Sequence, residues 1–181
     1  ATRAVPEEGE YIINGAKTFI TNGSIAHFIQ VLCLTNPEAE SRHQRHSVIT
    51  VETNREGFEA SPLKNKMGIR ASDTAELTFT DVRVPRENMI GKEGQGFQQF
   101  MVFFDHTRPH ICAQAVGLAQ GAMEKAIKHV RERRQFGKPL ASFQATQFKI
   151  AEMATRIEAA RNLYQKAAWM LDRGKPDPKL I

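Results

Sequence analysis

The hydrophobic period of the chain changes from two to about 3.6 near residue 90, and nothing else in the sequence limits the fold as strongly. Before that point, "FIQVLCL" (28–34), "SVITVE" (47–52), "GFEASPL" (57–63) and "AELTFTDVRVP" (75–85) predict strands. In "YIINGAKTFI" (11–20) the pair Asn14-Gly15 stands between two apolar runs. Both residues tolerate the positive φ of a type I′ turn, so a hairpin turn is expected there. The polar stretch "NPEAESRHQRH" (36–46) contains Pro37 and predicts an exposed loop. No helical pattern alternates with these strands. A doubly wound parallel sheet is therefore not expected, and an antiparallel barrel or sandwich is.

The segment "GKEGQGF" (91–97) is glycine-rich, but its spacing fits neither a dinucleotide fingerprint nor a P-loop. A flexible connection is the better reading. Apolar residues then recur three or four apart, at Met101, Phe104, Cys112, Ala115, Val116, Ala119, Met123, Ala126, Ile127 and Val130. Ala113, Gly117 and Gly121 add a stripe of small residues that lets another helix approach. Pro109 removes a hydrogen bond, so a kink or late start is expected. A second amphipathic helix is predicted from Ser142 to about Asp172, with Phe143, Ile150, Met153, Ala154, Ile157, Tyr164, Ala167 and Leu171 on one face and Gly174 and Pro176 as its stop. Two helices about 45 Å long cannot bury such stripes on each other alone. They belong to a larger bundle, and domains are expected over 1–90 and 91–181.

At 41% hydrophobic and 25% charged, the chain can bury a real core. Its longest apolar runs are far too short to span a bilayer. Cys33 and Cys112 match no metal spacing and read as reduced, buried thiols of a protein that is not secreted. The first residues show no signal or transit composition, and both ends read as internal cuts in a longer chain. A net charge of +5 suits nucleic acid, acidic membranes or a polyphosphorylated small molecule alike.

Three places could carry chemistry. In "KTFITNGS" (17–24), Phe19 and Thr21 lie two apart and should share a strand face. An aromatic beside a hydroxyl suits a flat heteroaromatic ligand, although the residues alone favour a half-buried edge strand with a capped turn. In "FFDHTRPH" (103–110), Asp105 and Arg108 have ion-pair spacing. His106 and His110 have the spacing of a helical metal pair, but no third ligand is evident and no metal site is expected. In "RERRQFGKPLASFQ" (131–144), Arg131, Arg133 and Arg134 end a helix, where positive charge is favourable by about 0.3–1 kcal/mol. That does not explain the gathering of Gln135, Phe136 and Gln144 around the same turn, a composition that suits a pyrophosphate next to a ring. No Gly-x-Ser-x-Gly elbow, Ser/His/Asp group or glycosidase carboxylate pair is present.

With "EYIINGAKTFITNGS", "MGIRASDTAELTFTDVRVPRENMIG", "GQGF", "FDHTRPHICAQAVGLAQGAMEKAIKHVRERRQFGKPLASFQ" and "AEMATRIEAARNLYQKAAW" in this order, the sequence resembles the acyl-CoA dehydrogenase family over essentially its whole length. The resemblance implies an α+β fold, with an antiparallel β-barrel middle domain followed by the first two helices of an up-and-down four-helix bundle. It implies that an N-terminal helical domain, a Thr-Glu-Pro loop and the rest of the bundle lie outside these residues. Phe19-Ile20-Thr21 matches the flavin-side segment, with Phe where Trp is usual. Asp105, His106, Thr107 and Arg108 match the helix segment lining the acyl-CoA site. Arg133, Arg134 and Gln135 are implied to meet the diphosphate–adenosine part of an FAD in a neighbouring subunit, with Phe136, Phe143 and Gln144 beside them. Guanidinium groups suit that task because they fork onto phosphate oxygens and lie flat on rings.

The implied reaction removes an α-proton from an acyl-CoA thioester with a glutamate and passes the β-hydrogen as hydride to flavin N5. Donors to the thioester carbonyl would each supply on the order of 3 kcal/mol. Most members carry the glutamate beyond the stretch matched here. A minority place it just before the helix arginine, and Thr107 occupies that position, so no catalytic residue is expected in this chain. The resemblance also implies a homotetramer or dimer, an electron-transfer flavoprotein as acceptor, and a bacterial or archaeal cytoplasm or mitochondrial matrix. A flavin oxidase or monooxygenase of the same fold, or a non-catalytic nucleic-acid-binding relative, are the alternatives.

Overall fold

The computed structural model describes residues 1–177 and 179–180. The chain forms two compact units, Ala1–Met101 and a second from Val102 onward. The first is a seven-stranded sheet in the order β5-β6-β2-β1-β3-β4-β7. Its strands are β1 (Arg3–Glu7), β2 (Glu10–Thr21), β3 (Phe28–Leu34), β4 (His46–Glu52), β5 (Phe58–Pro62), β6 (Thr74–Pro85) and β7 (Met89–Ile90). All pairs are antiparallel except β1 with β3, which run parallel and meet at Arg3↔Leu34.

No pairing joins β5 to β7 among the described residues, so the sheet is not a hydrogen-bonded barrel. Chain connectivity nevertheless forces it to curl. β6 and β7 stand five places apart in the order, about 24 Å in a flat sheet. Only Arg86–Asn88 separate Pro85 from Met89, and four residue steps reach at most about 14 Å. Asn88 fastens this crossing, its amide donating to the Thr50 carbonyl at 2.9 Å. The curled inner face holds one core of Ala4, Tyr11, Ile13, Val31, Cys33, Ile49, Val51, Ala75, Leu77, Phe79, Val82 and Val84.

The hairpin turn expected at Asn14-Gly15 lies instead at Glu8-Gly9, where φ is 43° and 91° and Glu7 pairs with Glu10. Asn14-Gly15 runs inside β2. The Asn14 amide donates to Asp81 Oδ1, and its carbonyl oxygen accepts from the Asp81 N–H, both at 2.9 Å. Gly15 is needed for close approach: a Cβ there would lie 2.7 Å from Thr2 Cα. Asp81 (φ 51°) belongs to a bulge on β6, between Ile13↔Val82 and Gly15↔Phe79. The extra residue resets the alternation, so Ala75, Leu77 and Phe79 before it and Val82 and Val84 after it all face inward.

The glycine-rich segment is pinned and not a loose connection. The Gly94 N–H donates to Ser47 Oγ at 3.0 Å, and Ser47 shares a buried 2.8 Å hydrogen bond with Thr35. Gly96 opens α1 (Gly96–Glu132), which runs unbroken through Pro109 with no late start. In the 36–46 loop, Arg42–Gln44 form a short 3₁₀ turn, and the His43 ring meets Phe97 at 4.4 Å between centroids.

In the second unit α2 (Gln144–Asp172) follows a small hairpin, and the Arg161 guanidinium of α2 donates to Gln120 Oε1 of α1 at 3.2 Å. Of the expected stripes, Val116, Ile157 and Ala167 are buried, whereas Met153, Ala154 and Cys112 are exposed. Ile111, Leu118, Phe148, Leu163 and Trp169 also remain exposed. Of the two cysteines, only Cys33 is buried, and burial pushes its thiol up to about 12.

Candidate functional site

The end of β2 departs from regular pairing where the first site was expected. Lys17 faces Leu77 and Ile20 faces Ala75, three steps on β2 against two on β6, so Thr18 and Phe19 form a bulge. Phe19 takes a φ of 61°, costly for a bulky residue and found mostly where surrounding contacts impose it. The bulge decides the direction of the site. Alternation from Tyr11 and Ile13, both buried, would turn positions 19 and 21 inward. The added residue instead packs Ile20 against the core and leaves Phe19 76% exposed, with Thr21 exposed two residues on.

A turn held from both sides follows. Asn22 has φ 59°, and its N–H donates to the Asp73 carbonyl at 3.1 Å. The Gly23 N–H donates to the Ile20 carbonyl at 3.2 Å, and Gly23 itself is buried. The Asp73 carboxylate accepts from Ser24 N–H at 3.0 Å and from Ser24 Oγ at 2.7 Å. These hydrogen bonds, the backbone one foremost, hold the Asp73 carboxyl below its usual range, with Lys66 contributing charge. Below β2, burial lowers the Lys17 ammonium from its ordinary value, and it donates to the Leu32 carbonyl at 2.8 Å.

The arginine-rich connection is a two-stranded hairpin, β8 (Arg134–Gln135) with β9 (Lys138–Pro139). Phe136 and Gly137 form its tip, with φ of 52° and 79°, the two positive values of a type I′ turn. The Leu140 N–H donates back to the Arg133 carbonyl at 2.9 Å and closes the hairpin base. The Phe136 and Phe143 rings meet edge-on at 6.3 Å, and Lys138 Nζ lies 4.5 Å from the Phe143 centroid. Phe136 is 90% exposed, while Arg133, Arg134, Gln135 and Gln144 are exposed around it. Neither Arg133 nor Arg134 has a carboxylate partner among the described residues. Guanidinium groups without such partners beside the exposed Phe136 ring fit a ligand that joins phosphate to a flat ring. Lys138 was missed by the sequence reading, although its place directly after the Phe-Gly turn puts it opposite Gln135.

On α1, Arg108 Nη1 donates to Asp105 Oδ1 at 3.2 Å, and both side chains are partly exposed. The Thr107 hydroxyl donates to the Phe104 carbonyl at 3.3 Å, and His110 Nδ1 lies 2.9 Å from the His106 carbonyl. The second histidine of the pair is thus tied to the backbone, and no cluster of metal-ligating residues exists among the described residues. Arg108 also borders an apolar groove of about 360 Å³ lined by Pro109, Cys112, Val116, Tyr164 and Ala167. No helix among the described residues is long and apolar enough to cross a membrane.

Comparison with known proteins finds matches over both parts of the chain. Residues 1–82 match the middle domain of acyl-CoA dehydrogenases and residues 94–181 their C-terminal domain. The cyclohex-1-ene-1-carbonyl-CoA dehydrogenase of Syntrophus aciditrophicus is 46% identical over 171 residues, 94% of this chain and 41% of that protein. Butyryl-CoA dehydrogenase of Megasphaera elsdenii superposes with a TM-score of 0.90 at 41% identity, over 97% of this chain and 46% of that one. A chain from the electron transferring flavoprotein structure of Acidaminococcus fermentans gives 0.90 at 44% identity, over 97% of this chain and 46% of that one. The chain therefore spans under half the length of these relatives. Both domain matches, in order and over nearly every residue, place the chain in the acyl-CoA dehydrogenase family.

Proposed function

We propose that this chain supplies the flavin-holding and part of the acyl-CoA-holding surface of an FAD-dependent acyl-CoA dehydrogenase. The single observation that carries the reading is the hairpin, where Arg133 and Arg134, without carboxylate partners among the described residues, stand beside a tip that holds the 90% exposed Phe136. The exposed ring leaves apolar surface in water, and together with the guanidinium groups it suits a diphosphate joined to an aromatic base. Arg133, Arg134 and Gln135 would hold the diphosphate–adenosine part of a flavin from a sister protomer, with Phe136, Phe143 and Gln144 against its ring. Phe19 would flank the isoalloxazine of a flavin, Thr21 would offer its hydroxyl near N5, and Ile20 anchors both from the core side. FAD supplies the two-electron redox chemistry when bound.

The Asp105–Arg108 ion pair fixes the polar edge of α1, where those two residues with His106 and Thr107 would receive the acyl-CoA. Neither Thr107, whose hydroxyl bonds to its own helix backbone, nor a neighbouring carboxylate free of Arg108 can take the α-proton there. The base is assigned to a glutamate outside this chain. The reading carries with it a homo-oligomer, an electron-transfer flavoprotein as acceptor, and a bacterial or archaeal cytoplasm or mitochondrial matrix. The test is the visible flavin band of the full-length protein during anaerobic titration with a panel of acyl-CoA thioesters. Bleaching by at least one thioester, with slow reoxidation in air, is expected. A colourless protein that retains no added FAD would overturn the reading, and fast reoxidation by oxygen would make it an oxidase.

A further inference from the structure

We propose that Asp73 is a positioning residue for the flavin-facing segment Phe19–Thr21, acting through the turn that follows it. This rests on the flavin reading above and extends it to a residue outside the segment. Three contacts carry it. The Asp73 carboxylate accepts from both the N–H and the hydroxyl of Ser24, at 3.0 and 2.7 Å, and its carbonyl accepts from the Asn22 N–H at 3.1 Å. Pairing of β2 with β6 ends at Thr21↔Thr74, so Asp73 takes over where the strand ladder stops.

The need for such a clamp follows from the local backbone. Phe19 and Asn22, at φ 61° and 59°, bracket Ile20 and Thr21; asparagine adopts this conformation readily, but a bulky residue such as Phe19 keeps it only with outside support. Gly23 is wedged below, since a Cβ there would lie 3.0 Å from Ala75 Cβ and Leu77 Cδ2. Ile20 is fixed by the core and Gly23 by the sheet. Asp73 fixes the remaining free end, which determines where the Thr21 hydroxyl stands. Lys66 holds the approach to Asp73 in turn, its ammonium donating to the Ser72 carbonyl and to Thr74 Oγ1 at 3.1 Å.

The full-length protein provides the test, with Asp73→Ala, Asp73→Asn and Asn14→Ala compared. The asparagine variant can keep both contacts, its carbonyl oxygen accepting from Ser24 N–H and its amide donating to the Ser24 hydroxyl. Asn14→Ala breaks the Asp81 clamp elsewhere on the same two strands and controls for general destabilisation. In flavin-free protein, Asp73→Ala should speed amide hydrogen exchange across residues 20–24, while the other two variants leave it unchanged. In flavin-loaded protein, Asp73→Ala should slow flavin reduction by acyl-CoA roughly 10- to 100-fold and shift the flavin potential, with KM little altered. Asp73→Asn should restore both. Unchanged exchange and potential in Asp73→Ala, or an equal shift in Asn14→Ala, would overturn the proposal even if the protein proves to be a flavin dehydrogenase. Faster exchange in a protein that never binds flavin would uphold the clamp but overturn its catalytic purpose, and the functional reading with it.

Discussion

Charge at single residues separates into groups already satisfied and groups left waiting. Glu52 is satisfied. The Arg55 guanidinium, then a backbone N–H and Asn88, pull its carboxyl down to about 2. Because the folded value lies below the ordinary one, the stabilisation is fully present above about pH 4.5 and fades as pH falls toward 2. Glu52→Gln should therefore lower the urea midpoint at neutral pH and leave it unchanged near pH 2. The side chain is 42% exposed, so the effect is less than about 1 kcal/mol. Arg134 is the opposite case, a cation with no carboxylate partner among the described residues. Arg134→Ala should weaken FAD retention roughly 10- to 100-fold, the equivalent of a charged hydrogen bond, without lowering the melting temperature of the flavin-free protein. Arg134→Lys should recover only part of the affinity, since an ammonium cannot fork onto two phosphate oxygens. Equilibrium dialysis against FAD checks both.

At the scale of elements, the two bulges do more than bend strands. Asp81 on β6 and Phe19 on β2 each add a residue that reverses which side chains face the core. Deleting Asp81 should rotate Val82 and Val84 out of the interior and remove the partner of Asn14. Each buried valine lost from the core costs on the order of 2 kcal/mol, so the deletion should abolish the cooperative thermal transition of the sheet. Asn14→Ala, which leaves the register intact, should cost only about 1–2 kcal/mol. Differential scanning calorimetry separates the two outcomes. The strands around these bulges were legible in the sequence, because alternation over four to six residues survives locally. The bulges themselves were not, since one added residue carries no compositional mark and Asn14-Gly15 imitates a turn.

For the molecule as a whole, the helices bear the plainest sign of missing neighbours. Ile111, Leu118, Phe148, Leu163 and Trp169 are exposed on α1 and α2, and helices owe most of their stability to packing of such faces. Gly117 and Gly121 have nothing within 4 Å of an added Cβ, which leaves their stripe open to another helix. On the proposed reading, the 181-residue chain made alone should show no acyl-CoA-dependent reduction of an electron acceptor, because neither Thr107 nor the Arg108-paired Asp105 is suited to take the α-proton. Measurable turnover by the isolated chain would place the base within it and overturn the assignment to a missing glutamate.

The sequence by itself determined the two architectures and the residue types gathered at Phe19–Thr21 and at Arg133–Gln144, because hydrophobic period and local composition are properties of neighbours along the chain. Only the tertiary structure decided which way those residues face. The register of β2 against β6 places the Phe19 bulge, and that register follows from contacts between strands some 60 residues apart. The curl of the sheet is decided the same way, by a three-residue crossing that joins its two sides. Long-range pairing fixes direction, and a direction cannot be read from the order of residues alone.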